Sequence, residues 1–247
     1  MDDTQLLQYS RQILLPQVDV NGQQKLVQSK VLIVGMGGLG SPVAMYLAAA
    51  GVGHLVLVDF DRVDLSNLQR QIIHSSRQIG EYKSVSAQKK LQALNSDVQI
   101  TLINQRLKED SLTNYLGDVN VVVDCCDNFA TRFIINAACV SEGVPLVSGS
   151  ALRWEGQIAV FGGKNSPCYR CLYDDNAEQT ETCSEAGILA PLVGVIGSIQ
   201  ASEVIKVLLN IGEALCGKLL LFNAFFGSFR TLKLHKDPTC PVCTEKN

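Results

Sequence analysis

The chain has 247 residues with 47% hydrophobic and 18% charged side chains, a composition typical of a globular protein and not of a disordered or fibrous one. Its formal net charge of −3 argues against generic nucleic-acid or membrane-surface binding, since both need a large basic excess to offset phosphate charge. The acidic start and the strand-length apolar runs do not suggest a signal peptide or a bilayer span, so we expect a cytoplasmic protein.

The first half of the chain alternates between strand and helix patterns. A polar arm over residues 1–29, expected to be helical, precedes a β-branched run, a glycine turn and a small-residue helix that should end at Gly51 or Gly53. The expected strands are 31–35, 54–61, 98–103, 119–127 and 145–150, and the expected helices are 84–94, 111–116 and 131–141. This alternation predicts an α/β fold with a Rossmann-like, doubly wound and mainly parallel sheet over residues 30–150.

Residues 151–247 follow a different pattern. Segments 156–163 and 218–236 predict antiparallel strands that extend the sheet, the second segment folding into a hairpin at Phe226/Gly227. A strong helix is expected from about Val193 to Leu209, and the acidic stretch DDNAEQTETCSE before it should be an exposed crossover. Because no linker rich in Pro, Gly or Ser separates the halves, we expect one domain over residues 1–247.

The glycine turn after the first strand has the spacing of a dinucleotide-binding loop. Gly35, Gly37 and Gly40 form the pattern GxGxxG, with Gly38 inside it, and Asp59 lies in the segment of the second strand. Glycines let the backbone approach phosphate, a helix N-terminus offers free N–H groups, and an acid at this offset can bind a ribose hydroxyl. These residues indicate an adenine nucleotide and leave an NAD-dependent oxidoreductase open as an alternative.

Polar residues farther along favour a triphosphate. Three of them follow the second strand, where doubly wound sheets bind ligands: Asn67, Arg70 and Lys83. The ordinary role of such cations is surface solubility, but their position beside a glycine loop favours phosphate binding. Asp127 and Asn128 follow the strand VVVDCCD, where a carboxylate can hold Mg²⁺; Asp124 could be the ligand instead, with Asp127 capping the next helix.

Four of the nine cysteines form two CxxC pairs: Cys168, Cys171, Cys240 and Cys243. This pattern predicts a structural Zn²⁺ held by four thiolates, which would tie the C-terminal tail to the middle of the chain. Cys125, Cys126 and Cys139 should be buried small hydrophobic residues, whereas Cys183 should be exposed in the acidic stretch. The histidines His54, His74 and His235 have no metal or triad spacing and are interpreted as strand or surface residues.

Several blocks of the chain together resemble the MoeB/ThiF family of ubiquitin-activating-like adenylyltransferases. They are RQILL, GMGGLGSPVAMYLAAAGVG, DFDRVDLSNLQRQ, DCCDN, PCYRCL, TCSEAGILAPLVGVIGSIQASEVIK and TCPVC. The resemblance covers nearly the whole chain and implies an ATP-using enzyme. Its reaction would activate the C-terminal glycine of a small ubiquitin-like sulfur carrier as an acyl-adenylate and release pyrophosphate.

The resemblance also assigns roles to positions in this chain. It implies that Asp59 binds ribose, that Asp127 binds Mg²⁺, and that Arg11 reaches the nucleotide site of a second subunit in a homodimer. The implied phosphate and nucleotide contacts include Asp61, Ser66, Asn67, Arg70, Lys83 and Asn128. The cysteine matching Cys183 can take the carrier into a thioester or persulfide-linked state, and Trp154 belongs either to the core or to the carrier-binding surface.

Two branches of the family share features with this chain. VSGSALRWEGQIAVF and TCSEAGILAP are closer to the molybdopterin-synthase branch, whereas YSRQILL and the segment 22–26 are similar to the thiamine branch. We therefore expect the molybdopterin synthase small subunit as carrier, with the thiamine-pathway carrier as the alternative. A catalytically silent carrier-docking module is a more distant alternative, and sulfur would come from a separate sulfurtransferase.

Overall fold

The computed structural model describes residues 1–108, 112–163, 166–173 and 186–244. Within these ranges the strands are β1 Lys30–Val34, β2 His54–Val58, β3 Gln99–Ile103, β4 Val121–Asp124, β5 Leu146–Leu152, β6 Glu155–Phe161, β7 Lys218–Asn223 and β8 Ser228–Lys233. They form one eight-stranded sheet in the order β3-β2-β1-β4-β5-β6-β7-β8. The pairings from β3 across to β5 are parallel, and those from β5 to β8 are antiparallel. The predicted fold class is confirmed.

The helices lie on both faces of the sheet. They are α1 Asp3–Gln8, α2 Ser10–Ile13, α3 Asp19–Gln28, α4 Gly40–Ala49, α5 Lys83–Leu94, α6 Phe129–Glu142, α7 Tyr169–Leu172 and α8 Ala190–Leu209. Short 3₁₀ turns cover Leu65–Asn67, Ser76–Gln78 and Thr113–Tyr115. Two buried clusters, one on each face, enclose β1 and β4, whose apolar residues therefore have no solvent-facing side.

Some boundaries differ from the expected ones for local reasons. Gly51, with φ of +84°, follows the end of α4 and so terminates this helix, where Gly53 was the alternative. Of the segment expected to be a helix over 111–116, the structure describes residues 112–116, which hold a single 3₁₀ turn. Helix α6 begins at Phe129 because the side chain of Asn128 caps it. His74 is buried and lies outside the strands, so its interpretation as a strand or surface residue is wrong.

Helix α8 is long and apolar enough to cross a membrane by length and composition, with a mean hydropathy of 1.7. It packs against α4, β5 and β6, and it carries the buried polar residues Gln200 and Glu203. Gln200 donates to the carbonyl of Asp124, and Glu203 accepts from the backbone N–H of Leu215. These contacts are those of a core helix, since its polar groups are satisfied inside the protein.

Candidate active site

A cavity of about 310 Å³ opens at the carboxyl ends of the parallel strands. Its lining includes nine of the residues predicted from the sequence: Gly35, Gly37, Gly38, Asp59, Asp61, Arg70, Lys83, Asp127 and Asn128. Parallel strands end at one edge of the sheet, which explains why residues so distant in sequence meet there. A cavity of this size with a few converging polar groups is suited to a small-molecule ligand.

The glycine loop forms one wall of this cavity. Gly35 has a φ of +95°, and a Cβ there would lie 2.8 Å from the carbonyl oxygen of Cys125. A Cβ at Gly40 would collide with the carbonyl oxygen of Gly35, and one at Gly38 would press on Val193 of α8. The loop can therefore turn tightly into α4 only with glycine at these positions, which leaves its backbone open to an anionic ligand.

Asp59 lies at the end of β2 with its carboxylate buried. Its two oxygens accept the backbone N–H groups of Met36, at 2.7 Å, and Asp61, at 2.8 Å. Burial raises the pKa of Asp59 above its ordinary value, while the charge of Lys83 and the two N–H donors act in the opposite direction. Each oxygen retains a second lone pair, so the carboxylate can also accept a ribose hydroxyl.

Lys83 is buried at the first residue of α5, where the helix dipole opposes a cation. Its Nζ lies 3.0 Å from Oδ2 of Asp61, and the two residues line the same wall. Arg70, also in the lining, is half-buried and donates to the carbonyl of Ser66 at 3.2 Å. Two positively charged side chains in one cavity can bind the negatively charged oxygens of a polyphosphate.

Ser66 and Asn67 do not line the cavity in this conformation. Asp64 accepts hydrogen bonds from the backbone N–H and the hydroxyl of Ser66, and its own backbone N–H donates to the Asn67 side chain. These contacts cap the 3₁₀ turn that leads to Arg70. The structure therefore shows both residues shaping the turn, and it leaves their predicted nucleotide contacts untested.

Asp124 and Asp127 have different surroundings, which separates the two predicted magnesium ligands. Asp124 is buried, accepts the N–H of Cys126 and the hydroxyl of Ser148, and lies 3.7 Å from Nε of Arg132. Asp127 is exposed at the cavity wall, and the helix cap is Asn128, so the alternative in which Asp127 caps α6 is wrong. Of the two carboxylates, Asp127 is the one accessible to a metal ion.

The four CxxC cysteines meet in space. Their sulfur atoms all lie within 4.8 Å of one another, with 3.7 Å between Cys168 and Cys240 and 3.4 Å between Cys171 and Cys243. Zn–S bonds of about 2.3 Å in a tetrahedron place sulfur atoms about 3.8 Å apart, close to these distances. The side chain of Asn136 donates to the sulfur of Cys168, as outer partners of metal ligands do. The donor set and its geometry fit a structural zinc ion.

The family model described as "ThiF family" matches residues 9–242. This chain belongs to the ThiF family. It is 48% identical to the molybdopterin-synthase adenylyltransferase of Escherichia coli, covering 98% of each chain. It is also 48% identical to the sulfur carrier protein ThiS adenylyltransferase of the same organism, over 100% of this chain and 98% of that one.

A solved structure of E. coli MccB with MccA-N7isoASN has the same fold as this ThiF-family chain. The TM-score is 0.83 at 24% identity, over 96% of this chain and 74% of MccB. Membership of the family favours adenylyl transfer over the NAD-dependent oxidoreductase alternative that the glycine motif alone left open.

Arg11 does not line the cavity. The arm that carries it is fixed at the opposite, amino-terminal edge of the sheet, where Asn95 donates to the Tyr9 hydroxyl and Gln12 donates to the carbonyl of Ala50. Arg11 itself is exposed. Arg11 therefore contributes no group to the cavity of this chain.

Two buried residues at the site, Arg132 and His74, belong to no recognisable sequence motif. Nη2 of Arg132 donates to the carbonyls of Cys126, at 2.6 Å, and Gly149, at 3.1 Å, so it holds the segment before Asp127 against β5. His74 contacts the glycine loop. Sequence reasoning missed both, since a single Arg or His without metal or triad spacing carries no signal of its partners.

The three cysteines that the sequence predicts to be buried are buried. Cys125, Cys126 and Cys139 are buried, and burial raises the pKa of each thiol above its ordinary value. They therefore act as small apolar groups and not as nucleophiles. Cys183 lies outside the residues that the structure describes.

Proposed function

We propose that this chain is an adenylyltransferase that activates the C-terminal glycine of a small ubiquitin-like sulfur-carrier protein with ATP and releases pyrophosphate. One observation carries the proposal: the glycine loop, Asp59, Arg70, Lys83 and Asp127 line one cavity in a chain 48% identical to two named adenylyltransferases. The leading carrier is the small subunit of molybdopterin synthase, and the thiamine-pathway carrier is the alternative. The enzyme works in the cytoplasm as a single domain.

The reaction needs positioning and charge neutralisation more than acid–base chemistry. A carrier α-carboxylate has a pKa of about 3.5 and is already an anionic nucleophile at neutral pH. Its oxygen attacks the α-phosphorus of ATP, an acyl–O–P bond forms, the bond to the β-phosphate oxygen breaks, and pyrophosphate leaves with the electron pair. Arg70 and Lys83 offset the repulsion between the two anions and the charge that develops on the leaving group.

Asp127 is the residue that would hold Mg²⁺ in this cavity, since its carboxylate is exposed there while that of Asp124 is bound to Arg132. When bound, the ion would neutralise phosphate charge. Asp59 would orient the nucleotide through the ribose, with Asp61 holding Lys83 in place. The four clustered cysteines would bind a structural zinc ion.

The N-terminal arm supports a homodimer with composite sites. Leu7, Leu14 and Leu15 on this arm are exposed at 77%, 71% and 52%, in the same region as Arg11. A group of exposed leucines is typical of a surface covered by a partner. In the proposed dimer this surface is buried, and each Arg11 contributes positive charge to the cavity of the other subunit.

The carrier docks, in this proposal, on an aromatic edge formed by Trp154, Phe225 and Phe226. The ring centroids of Trp154 and Phe225 are 5.3 Å apart, and those of Phe225 and Phe226 are 5.1 Å apart. Trp154 is 45% exposed, so it is not a core residue. It follows β5, whose last residues line the cavity, and a carrier seated there could extend its tail along β5 to the phosphates.

Replacing Trp154 or Phe225 by alanine should raise the KM for the carrier about tenfold and leave the KM for ATP unchanged, since interface aromatics of this kind are each worth roughly 1 to 2 kcal/mol. Steady-state pyrophosphate release measures both constants. The matched control is Leu94→Ala, an apolar side chain of similar exposure, 44%, outside this edge. A carrier KM that stays at the wild-type value in both variants would place the docking surface elsewhere.

Cys183→Ala should retain pyrophosphate exchange at close to the wild-type rate. Adenylation forms no bond to sulfur, so a thiol in the predicted exposed crossover would act only after the adenylate exists. The rate of exchange with ATP and carrier is the measurement. Loss of exchange in a folded, zinc-loaded variant would instead make Cys183 part of the adenylation site.

Pyrophosphate exchange with each carrier tests the proposed function directly. Only an adenylating enzyme returns labelled pyrophosphate to ATP, and it does so only with a carrier it recognises. We expect exchange with the molybdopterin synthase small subunit and, if the alternative is right, with the thiamine carrier in its place. Sulfur transfer from a separate sulfurtransferase would follow this step. Absence of exchange with both carriers would leave the silent docking module as the better description.

A further inference from the structure

His74 is buried between the glycine loop and helix α5. Its Nε2 lies 2.8 Å from the carbonyl oxygen of Met36, and its Nδ1 lies 2.7 Å from the hydroxyl oxygen of Ser86. His74 is 8% exposed, and both partner residues are fully buried. The role of His74 is therefore to be sought in these two contacts.

The two contacts determine where the imidazole carries its proton. A carbonyl oxygen only accepts hydrogen bonds, so Nε2 must carry the proton that Met36 receives. Burial and the nearby charge of Lys83 lower the pKa of His74, which favours the neutral ring. In a neutral ring with Nε2–H, Nδ1 is an acceptor, and the hydroxyl of Ser86 donates to it.

The backbone of Met36 is consequently held on both sides of its Cα atom. Its N–H donates to Asp59 at the end of β2, and its C=O accepts from His74. Ser86, on the other side of the ring, is one turn along α5 from Lys83. His74 thus connects the glycine loop to the helix that carries a phosphate-binding cation.

We propose that His74 is a positioning residue for the nucleotide, which fixes the glycine loop relative to Lys83 through Met36 and Ser86. This inference rests on the proposed function, because it assigns ATP phosphates to the cavity between the loop and Lys83. His74 does not line that cavity, so it acts through Met36 and Ser86 and does not touch the ligand.

Two substitutions separate the two hydrogen bonds of the ring. In His74→Gln the amide nitrogen can occupy the place of Nε2 and still donate to Met36, whereas in His74→Asn the shorter side chain reaches only toward Ser86. We expect His74→Asn to weaken ATP binding about tenfold, because a displaced glycine loop would lose the equivalent of about one hydrogen bond to phosphate, and His74→Gln to stay within about threefold of wild type. Calorimetric titration with ATP and Mg²⁺, without carrier, measures this.

Two further readouts distinguish positioning from a general effect on folding. The ¹⁵N shifts of the ring should show a neutral Nε2–H tautomer in the wild-type protein. The KM for the carrier should remain unchanged in both variants. The KM for ATP should rise in His74→Asn and stay near the wild-type value in His74→Gln, as the calorimetric dissociation constants do. His235→Gln, at an exposed histidine, is the control for loss of a ring elsewhere.

The outcomes separate this inference from the proposed function. Wild-type binding of ATP and exchange of pyrophosphate test the function before any variant is made, and their absence would overturn both proposals. With a functional wild type, equal ATP affinity in His74→Asn and His74→Gln would overturn the positioning role, even if both variants melt at a lower temperature. An Nδ1–H tautomer would overturn it as well. A loss of ATP affinity in His74→Asn but not in His74→Gln supports the positioning role.

Discussion

Arg70→Ala and Lys83→Ala are each expected to lower the rate of adenylation roughly 100-fold to 1000-fold while the protein stays folded. Each substitution removes a positive charge from a cavity where two anions must meet, and one such electrostatic contact is typically worth about 3 to 4 kcal/mol of transition-state stabilisation. The measurement is pyrophosphate exchange at saturating carrier, accompanied by a thermal melt. Lys83→Ala should lower Tm little, because a cation at the start of α5 is disfavoured by the helix dipole.

Two control variants match these substitutions in charge but not in position. Lys89 is on the same helix as Lys83 and pairs at the surface with Glu81, and Arg77 is exposed in the turn before α5. Lys89→Ala and Arg77→Ala remove one positive charge each outside the cavity lining. Their exchange rates should equal that of the wild type. Rates within twofold of wild type for both Arg70→Ala and Lys83→Ala would show that the phosphates bind elsewhere.

Cys240→Ser should release the zinc ion and lower Tm by roughly 10 °C. Removal of one thiolate opens a closed four-ligand site, so we expect zinc content to fall from about one ion per chain to almost none. The cysteine pairs are 72 residues apart, and closing a loop of that length contributes about 4 kcal/mol to the free energy of unfolding in the chain-entropy model. Elemental analysis and a thermal melt provide the two measurements.

Cys216→Ser is the control for the zinc experiment, because Cys216 is an exposed cysteine outside the cluster. It should leave both zinc content and Tm unchanged. Reduced wild-type protein that contains no zinc, or a Cys240→Ser variant that retains a full complement, would contradict a structural tetrad. Zinc loss with unchanged Tm would show that the ion binds without supporting the fold.

Features that depend only on residues close together in the sequence could be predicted from the sequence. The strand β1, the glycine turn and Asp59 follow one another within about 30 residues, and the hydrophobic period, the glycine spacing and the acid offset are each readable locally. The alternation of strands and helices then implied a parallel sheet whose carboxyl ends meet. The cavity lies at that edge because this rule depends on chain topology and not on particular side chains.

The tertiary structure decided which polar side chains are accessible to a ligand and which are held by other residues. Spacing alone could not separate Asp124 from Asp127, because both lie near the end of β4. The difference is that the carboxylate of Asp124 forms an ion pair with Arg132. His74 likewise looked unremarkable in the sequence, whereas its contacts are with Met36 and Ser86, 38 and 12 residues away.

By itself, the sequence determined the fold class, the glycine loop with its acid, and the cysteine tetrad. Each of these features follows from a repeated or short-range sequence pattern, such as CxxC, which can be recognised without knowing any contacts between distant residues. Only the tertiary structure decided the exposure of the Asp127 carboxylate, the buried bridge through His74 and the position of Arg11 outside the cavity lining. Burial and hydrogen bonding are properties of segments brought together by folding, so no local spacing encodes which partner a buried polar side chain receives.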